Sequence, residues 1–168
     1  MNVILEKIIK KSCLILINNF LCISRFYQIK RKLLIISGFS IGKGTKIVGP
    51  IHVGTLAKIS IGDNCWIGGD IKIHGIGIIV IGNNCDLAPE ISFVTGSHSI
   101  GSPDRRAGEG LSYKIEIENG CWIGARTTIM GNTTVMKGTI IGASSLVIKD
   151  IPANVIAAGI PAKIIKNI

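Results

Sequence analysis

The sequence predicts an all-β fold, a parallel β-helix of stacked coils, with a helical segment in front of it. Three observations carry this. Large aliphatic residues recur every sixth position over most of the 168 residues, 21 glycines punctuate the chain between them, and residues 1–40 follow a different, helical spacing. A helix needs apolar spacing near 3.6 and an ordinary strand near 2. Period six fits a coil of three short flat faces, each sending one aliphatic inward, with about 18 residues per turn. Glycine suits the tight corners between faces. The length suits one domain.

Residues 1–40 read as a basic amphipathic helical segment. Helix is expected over 2–33, where Leu5, Ile8, Ile9, Leu16, Ile17, Phe20 and Ile23 form a stripe at i, i+3/i+4 spacing. Lys7, Lys11, Asn18 and Arg25 lie largely off that stripe, and Asn18–Asn19 is the expected interruption. One reading is a cap over the open end of the solenoid, which repeat proteins need for solubility. A second, compatible reading is peripheral contact of residues 1–33 with the inner membrane. Lys7, Lys10, Lys11, Arg25, Lys30, Arg31 and Lys32 would then face anionic lipid. The apolar run after Lys11 is broken early and lacks a small-residue cleavage site, which disfavours a signal peptide. No stretch reaches the roughly 18 uninterrupted apolar residues of a spanning helix.

The solenoid is expected over 41–152. Its inward register is Ile41, Ile47, Val53, then Ile61, Ile67, Ile73, then Ile81, Leu87, Phe93, and finally Ile117, Ile123, Ile129, Val135, Ile141, Val147. The spacing lengthens by two residues after Val53 and after Ile73, so small outward turns belong there. Between Phe93 and Ile117 it lengthens by a full 18 residues. That predicts a loop excursion over 99–114, with Gly101, Pro103, Asp104, Gly108 and Gly110 as its turn chemistry. Long excursions from a compact coil usually carry function. Residues 153–168 read as a C-terminal tail.

Net charge is +9, concentrated in the first 46 residues, which hold nine Lys/Arg and one acid. There is no aromatic interleaving and no nucleic-acid motif, so nucleic-acid binding is not expected. Cys65, Cys85 and Cys121 each stand four residues after an inward aliphatic, in a slot held elsewhere by Thr45, Ala57, Thr127, Thr133, Thr139 and Ser145. They read as small inward corner residues, not as ligands or nucleophiles. With no disulfide framework, the cytoplasm is the default location.

His98, in Thr95-Gly96-Ser97-His98, stands where the coil is interrupted. A neutral imidazole there can take a proton from a hydroxyl or amine; it can equally be a loop histidine with one backbone hydrogen bond. Several stretches bear on the matter together. They are Ile81–Pro89, Val94–His98, Ile117–Ala125, Ile141–Ala143, Val147–Pro152 and Ala157–Lys163. As a set they resemble the hexapeptide-repeat acetyltransferases, most closely the galactoside/maltose O-acetyltransferase branch and the related capsule and O-antigen sugar acetyltransferases, over about residues 35–168.

The resemblance implies a left-handed β-helix, acetyl-CoA as co-substrate and no metal. It implies His98 as general base, deprotonating an acceptor hydroxyl that attacks the thioester directly in a ternary complex. Glu109 falls on a loop acid that orients the imidazole or touches the acceptor. Trp122 falls on the aromatic lining the pantetheine channel, and Gly124, Ala125 and Ala143 on flat backbone positions beside that arm. Lys149, Lys163 and Lys166 fall on cations that meet the phosphates. It also implies a homotrimer with sites at subunit interfaces, the excursion reaching across to a neighbour.

The galactoside branch offers an Asn and an Asp to its sugar where this chain has Gly68 and Ile76. Trp66, Asp70 and His74 lie in the same coil as alternative acceptor contacts, beside the reading of a solvated face. Arg105 and Arg106 suit a phosphate, a nucleotide sugar or an acidic polysaccharide. The expected function is O-acetylation of a sugar in bacterial surface polysaccharide. Transfer to an amino sugar or to serine uses the same base. A zinc carbonic anhydrase on this coil needs three histidines, two of them close; His52, His74 and His98 offer no close pair. A non-catalytic solenoid is the remaining alternative and predicts no acetyl-CoA binding.

Overall fold

The computed structural model describes residues 3–54 and 56–168; Met1, Asn2 and Thr55 lie outside them. Strands of two to six residues stack into three sheets of five, seven and five strands, all parallel except the last strand of the seven-stranded sheet. These are the three flat faces of a β-solenoid. The six-residue phase sets the stacking. Ile41, Ile61, Ile81, Ile117 and Val135 line up on the first face. Ile47, Ile67, Leu87, Ile123, Ile141 and Ala157 line up on the second. Val53, Ile73, Phe93, Ile129 and Val147 line up on the third. All are buried except Val53, which packs against the core from its margin. Strand alternation adds a second inward row: Ile59, Ile79 and Ile115 on the first face, Ile51, Ile71 and Ile91 by the third.

The corner between the first and second faces repeats a backbone shape. Gly44, Asn64, Asn84, Gly120, Gly138 and Asn154 all have positive φ there, a conformation that favours glycine and asparagine. Beside them, side-chain oxygens of Asp63, Asn83 and Asn119 accept the N–H groups of Lys43, Asp63 and Asn83 at 2.6–2.7 Å. Cys65, Cys85 and Cys121 are buried in this corner as the phase predicts, and so are Thr45 and Thr139. The adjacent Cys85 and burial push the Cys65 thiol well above its ordinary value, so it is inert as a nucleophile.

The N-terminal segment caps the solenoid, as two helices: α1 (Val3–Phe20) and α2 (Tyr27–Ile36). The break falls at 21–26, not at Asn18–Asn19, which lie inside α1. Most of the expected apolar stripe is not the docked face; of its residues only Ile17 is buried. Leu5, Ile8, Leu16, Phe20 and Ile23 are exposed, while Lys10, Leu14 and Ile17 are buried. The reason lies in the coil it covers. A first coil has unpaired backbone groups on its open side, and these must be satisfied. Asn18 both donates to Ile51 O and accepts from Ile51 N, at 2.8 and 2.9 Å. Lys10 Nζ donates to Ala57 O, Lys30 Nζ to Val48 O, and Arg31 to Ile41 O and Gly42 O. Lys10 and Lys30, expected toward lipid, are therefore buried as anchors of the cap.

Two later segments also differ from expectation. The excursion is a β-hairpin, Gly96–Ile100 paired antiparallel with Ala107–Ser112, closed at its base by Tyr113 N donating to Thr95 O. The C-terminal residues are not a loose tail. Val155–Gly159 continues the second face in parallel, and Ala162–Asn167 folds back antiparallel beside it.

Candidate active site

The sequence-predicted residues fall into two groups on different parts of the prism. The first group lies along the corner between the third and first faces. The hairpin leaves the coil there and carries His98, Glu109, Arg105 and Arg106; His74 ends a third-face strand, and Lys149 follows Val147. The second group lies on the second face and the corner that follows it. Outward side chains on that face alternate with the buried aliphatics, so the register sets Lys46, Trp66, Asp86, Trp122, Ile140 and Ile156 in one row across six coils. Gly124, Ala125 and Ala143 form the corner after it. Lys163 and Lys166 stand on the returning C-terminal strand at the end of this face.

His98 is exposed and pairs across the hairpin with Gly110. Among the described residues no side chain hydrogen-bonds its imidazole. Glu109 is the neighbour of that partner, and no bond or ion pair joins it to His98; within one chain it does not orient the imidazole. The hairpin projects apolar surface as well as charge, with Ile100 90% exposed and Leu111 exposed. Arg105 and Arg106 sit in its exposed turn.

Asp70 is committed locally: His52 Nε2 stands 3.0 Å from one carboxylate oxygen and Lys72 Nζ 3.3 Å from the other. His74 is exposed, away from Trp66, so the three residues expected to share an acceptor contact do not converge. Trp66 instead packs against Tyr27 of α2, rings 5.9 Å apart and tilted 58°. Gly124 has a stacking requirement of its own. A Cβ there would come within 2.5 Å of Ala143 N on the next coil.

The second face also holds a groove of about 530 Å³ lined by Trp66, Asp86, Leu87, Ala88, Pro89 and Trp122. Asp86 was not singled out from the sequence. The signal was present: it precedes an inward aliphatic, as Trp66 and Trp122 do.

Residues 114–149 match the family model for the bacterial transferase hexapeptide (six repeats). The galactoside O-acetyltransferase of Escherichia coli (strain K12) is 39% identical over 82 residues, 49% of this chain and 40% of that protein. The chain thus matches less than half the length of this curated relative. A hexapeptide-repeat acetyltransferase from Vibrio cholerae superposes with a TM-score of 0.83 at 25% identity, covering 98% of this chain and 92% of that one. It has also been solved with acetyl coenzyme A. A galactoside acetyltransferase in complex with coenzyme A superposes with a TM-score of 0.72 at 28% identity, covering 98% of this chain and 82% of that one. With the stacked coils, the hairpin histidine and the tryptophan row all in place, the chain is similar to the hexapeptide-repeat acetyltransferases in fold and, over residues 114–149, in sequence.

Proposed function

We propose that the protein is an acetyl-CoA-dependent O-acetyltransferase that acts on a sugar hydroxyl in bacterial surface polysaccharide synthesis, and that two copies of the chain form each site. The observation that carries this is the division of the site residues. His98 and Lys149 lie along one corner, whereas Trp122, Gly124, Ala125, Ala143, Lys163 and Lys166 belong to another face and its corner. Solved relatives holding coenzyme A or its acetyl form support the co-substrate. A closed ring of three copies sets the first corner of one against the second face of the next. The exposed Ile100 and Leu111 of the hairpin suit such a contact.

The chain's own residues then divide the chemistry. Trp122 and the flat corner at Ala125 and Ala143 accept the pantetheine arm, with bulk excluded by the close stacking at Gly124. Lys163, Lys166 and the neighbour's Lys149 meet phosphate. His98 takes the proton of the acceptor hydroxyl as its oxygen attacks the thioester carbonyl, then returns the proton to the departing thiolate. A general base of this kind contributes about 10²–10⁴-fold. His98→Ala is expected to lower acceptor-dependent coenzyme A release by that order while coenzyme A binding, followed by calorimetry, persists. Undiminished turnover in His98→Ala would remove the mechanism.

The outer face of α1 supports peripheral contact with an anionic inner leaflet. Ile4, Leu5, Ile8, Ile15, Leu16 and Phe20 are exposed in α1, with Lys7 and Lys11 exposed on the same helix. This pattern suits an interfacial helix. No helix among the described residues is long and apolar enough to cross a membrane.

A further inference from the structure

The acids of the coil separate cleanly by what they touch. Asp63 accepts Lys43 N, Glu118 accepts Lys137 N, and Asp150 accepts Thr134 N. Asp70 pairs with His52 and Lys72, Glu116 with Lys114, and Glu90 with Arg126 at 4.0 Å. Asp86 alone of the coil's acids has no side-chain hydrogen bond or ion pair among the described residues. It is exposed, and the register sets it between Trp66 on one coil and Trp122 on the other. Neighbouring strands lie about 4.8 Å apart, so the two indoles bracket the carboxylate at roughly twice that span.

This is an unusual setting in a chain of net charge +9. Indole faces are electron-rich and attract cations. A carboxylate between two of them adds a full negative charge without a local counter-ion. A neutral ring needs only a hydrogen-bond acceptor there, which an amide supplies equally well. The carboxylate distinguishes itself by favouring a positive group and repelling a negative one. Tyr27 packs against Trp66, so that wall of the groove is tied to the cap. The groove, about 530 Å³, is of ligand-binding size.

We propose that this groove is the acceptor subsite, and that it selects a sugar ring bearing a protonated amine, held against Trp66 and Trp122 with its ammonium on Asp86. The assignment as acceptor subsite rests on the acetyltransferase reading, whereas the selection for charge does not. On this assignment Trp122 has two sides, one toward the pantetheine corner and one toward the sugar. Uronic acids and other anionic rings are excluded from the slot by Asp86.

The chain has two tryptophans, both in this groove, so intrinsic tryptophan fluorescence reports on it directly. Full-length protein is titrated at neutral pH, without coenzyme A, with glucosamine, glucose and glucuronate. Glucosamine is expected to give a saturable change at the lowest concentration, glucose a weaker one and glucuronate none. Asp86→Asn, an exposed and isosteric change, is expected to weaken glucosamine about tenfold, bringing it level with glucose. Coenzyme A binding is followed separately by calorimetry, so loss of the acetyltransferase reading registers there and not in the sugar titration. Glucuronate binding as well as glucosamine, or glucosamine binding unchanged in Asp86→Asn, overturns the proposal. The second outcome is also what a neighbouring subunit's cation already seated on Asp86 would give.

Discussion

Lys30 is fully buried, and its ammonium donates to the carbonyl oxygens of Ile23 and Val48 at 2.7 Å each. It lies 5.1 Å from the centre of the Tyr27 ring, which in turn packs against Trp66. Burial lowers its pKa from the ordinary lysine value, with a smaller opposing influence from Cys22. The sign follows from proton counting. Between the lowered folded value and the ordinary unfolded one, the unfolded chain binds more protons, so stability rises with pH across that window. Lys30→Gln lacks this titration. Urea melts at rising alkaline pH should therefore show wild type gaining stability relative to Lys30→Gln, and a pH-independent difference would contradict the burial. The sequence marked Lys30 only as one of a run of cations. Nothing in a lysine's neighbours along the chain tells whether its ammonium meets lipid or an orphan carbonyl.

The elements differ in how far they could be read in advance. The faces were legible because a one-position slip would turn every aliphatic outward, so the phase is tightly specified. The corners were legible only in part: glycine was expected there, and Gly44, Gly120 and Gly138 hold the left-handed column between the first and second faces, but Asn64 and Asn84 share that column and Asp70, Glu90, Arg126 and Ser144 take positive φ at the next corner. The docked face of α1 was not. Both sides of that helix are apolar, and hydrophobicity does not choose between them. Matching Lys10 and Asn18 to the backbone of the first coil does. The hairpin was read as a loop because Ala107–Ser112, with its glycines, lacks strand alternation. The choice of docked face leaves Phe20 72% exposed and Ile8 56% exposed, on the side turned away from the coil. Phe20→Asp with Ile8→Asp should leave the fold intact and abolish sedimentation with vesicles containing anionic lipid. If the double variant co-sediments like wild type, α1 does not hold the protein at a membrane.

At the scale of the molecule, the prism presents His98, the proposed base, on one corner and the expected coenzyme surface on another face. The sequence pointed to both halves, to His98 because it stands where the phase is interrupted and to Trp122 because its stretch resembles that of the hexapeptide-repeat acetyltransferases. It did not give their separation, which depends on how many residues each corner and face consumes. Asp86 escaped notice for a different reason: a single outward acid looks like solvated surface until its neighbours across the coils are known. The most direct test of a site shared by two chains is subunit complementation. His98→Ala removes the proposed base, and Ala143→Trp fills the exposed corner expected to hold pantetheine. Each variant alone should be inactive. After co-assembly at equal amounts, about a quarter of the wild-type activity should return, because a random neighbour pair has one chance in about four of joining an intact His98 to an intact Ala143 corner. If the mixed assemblies stay as inactive as their parents, each chain holds its own complete site and the shared-site account is wrong.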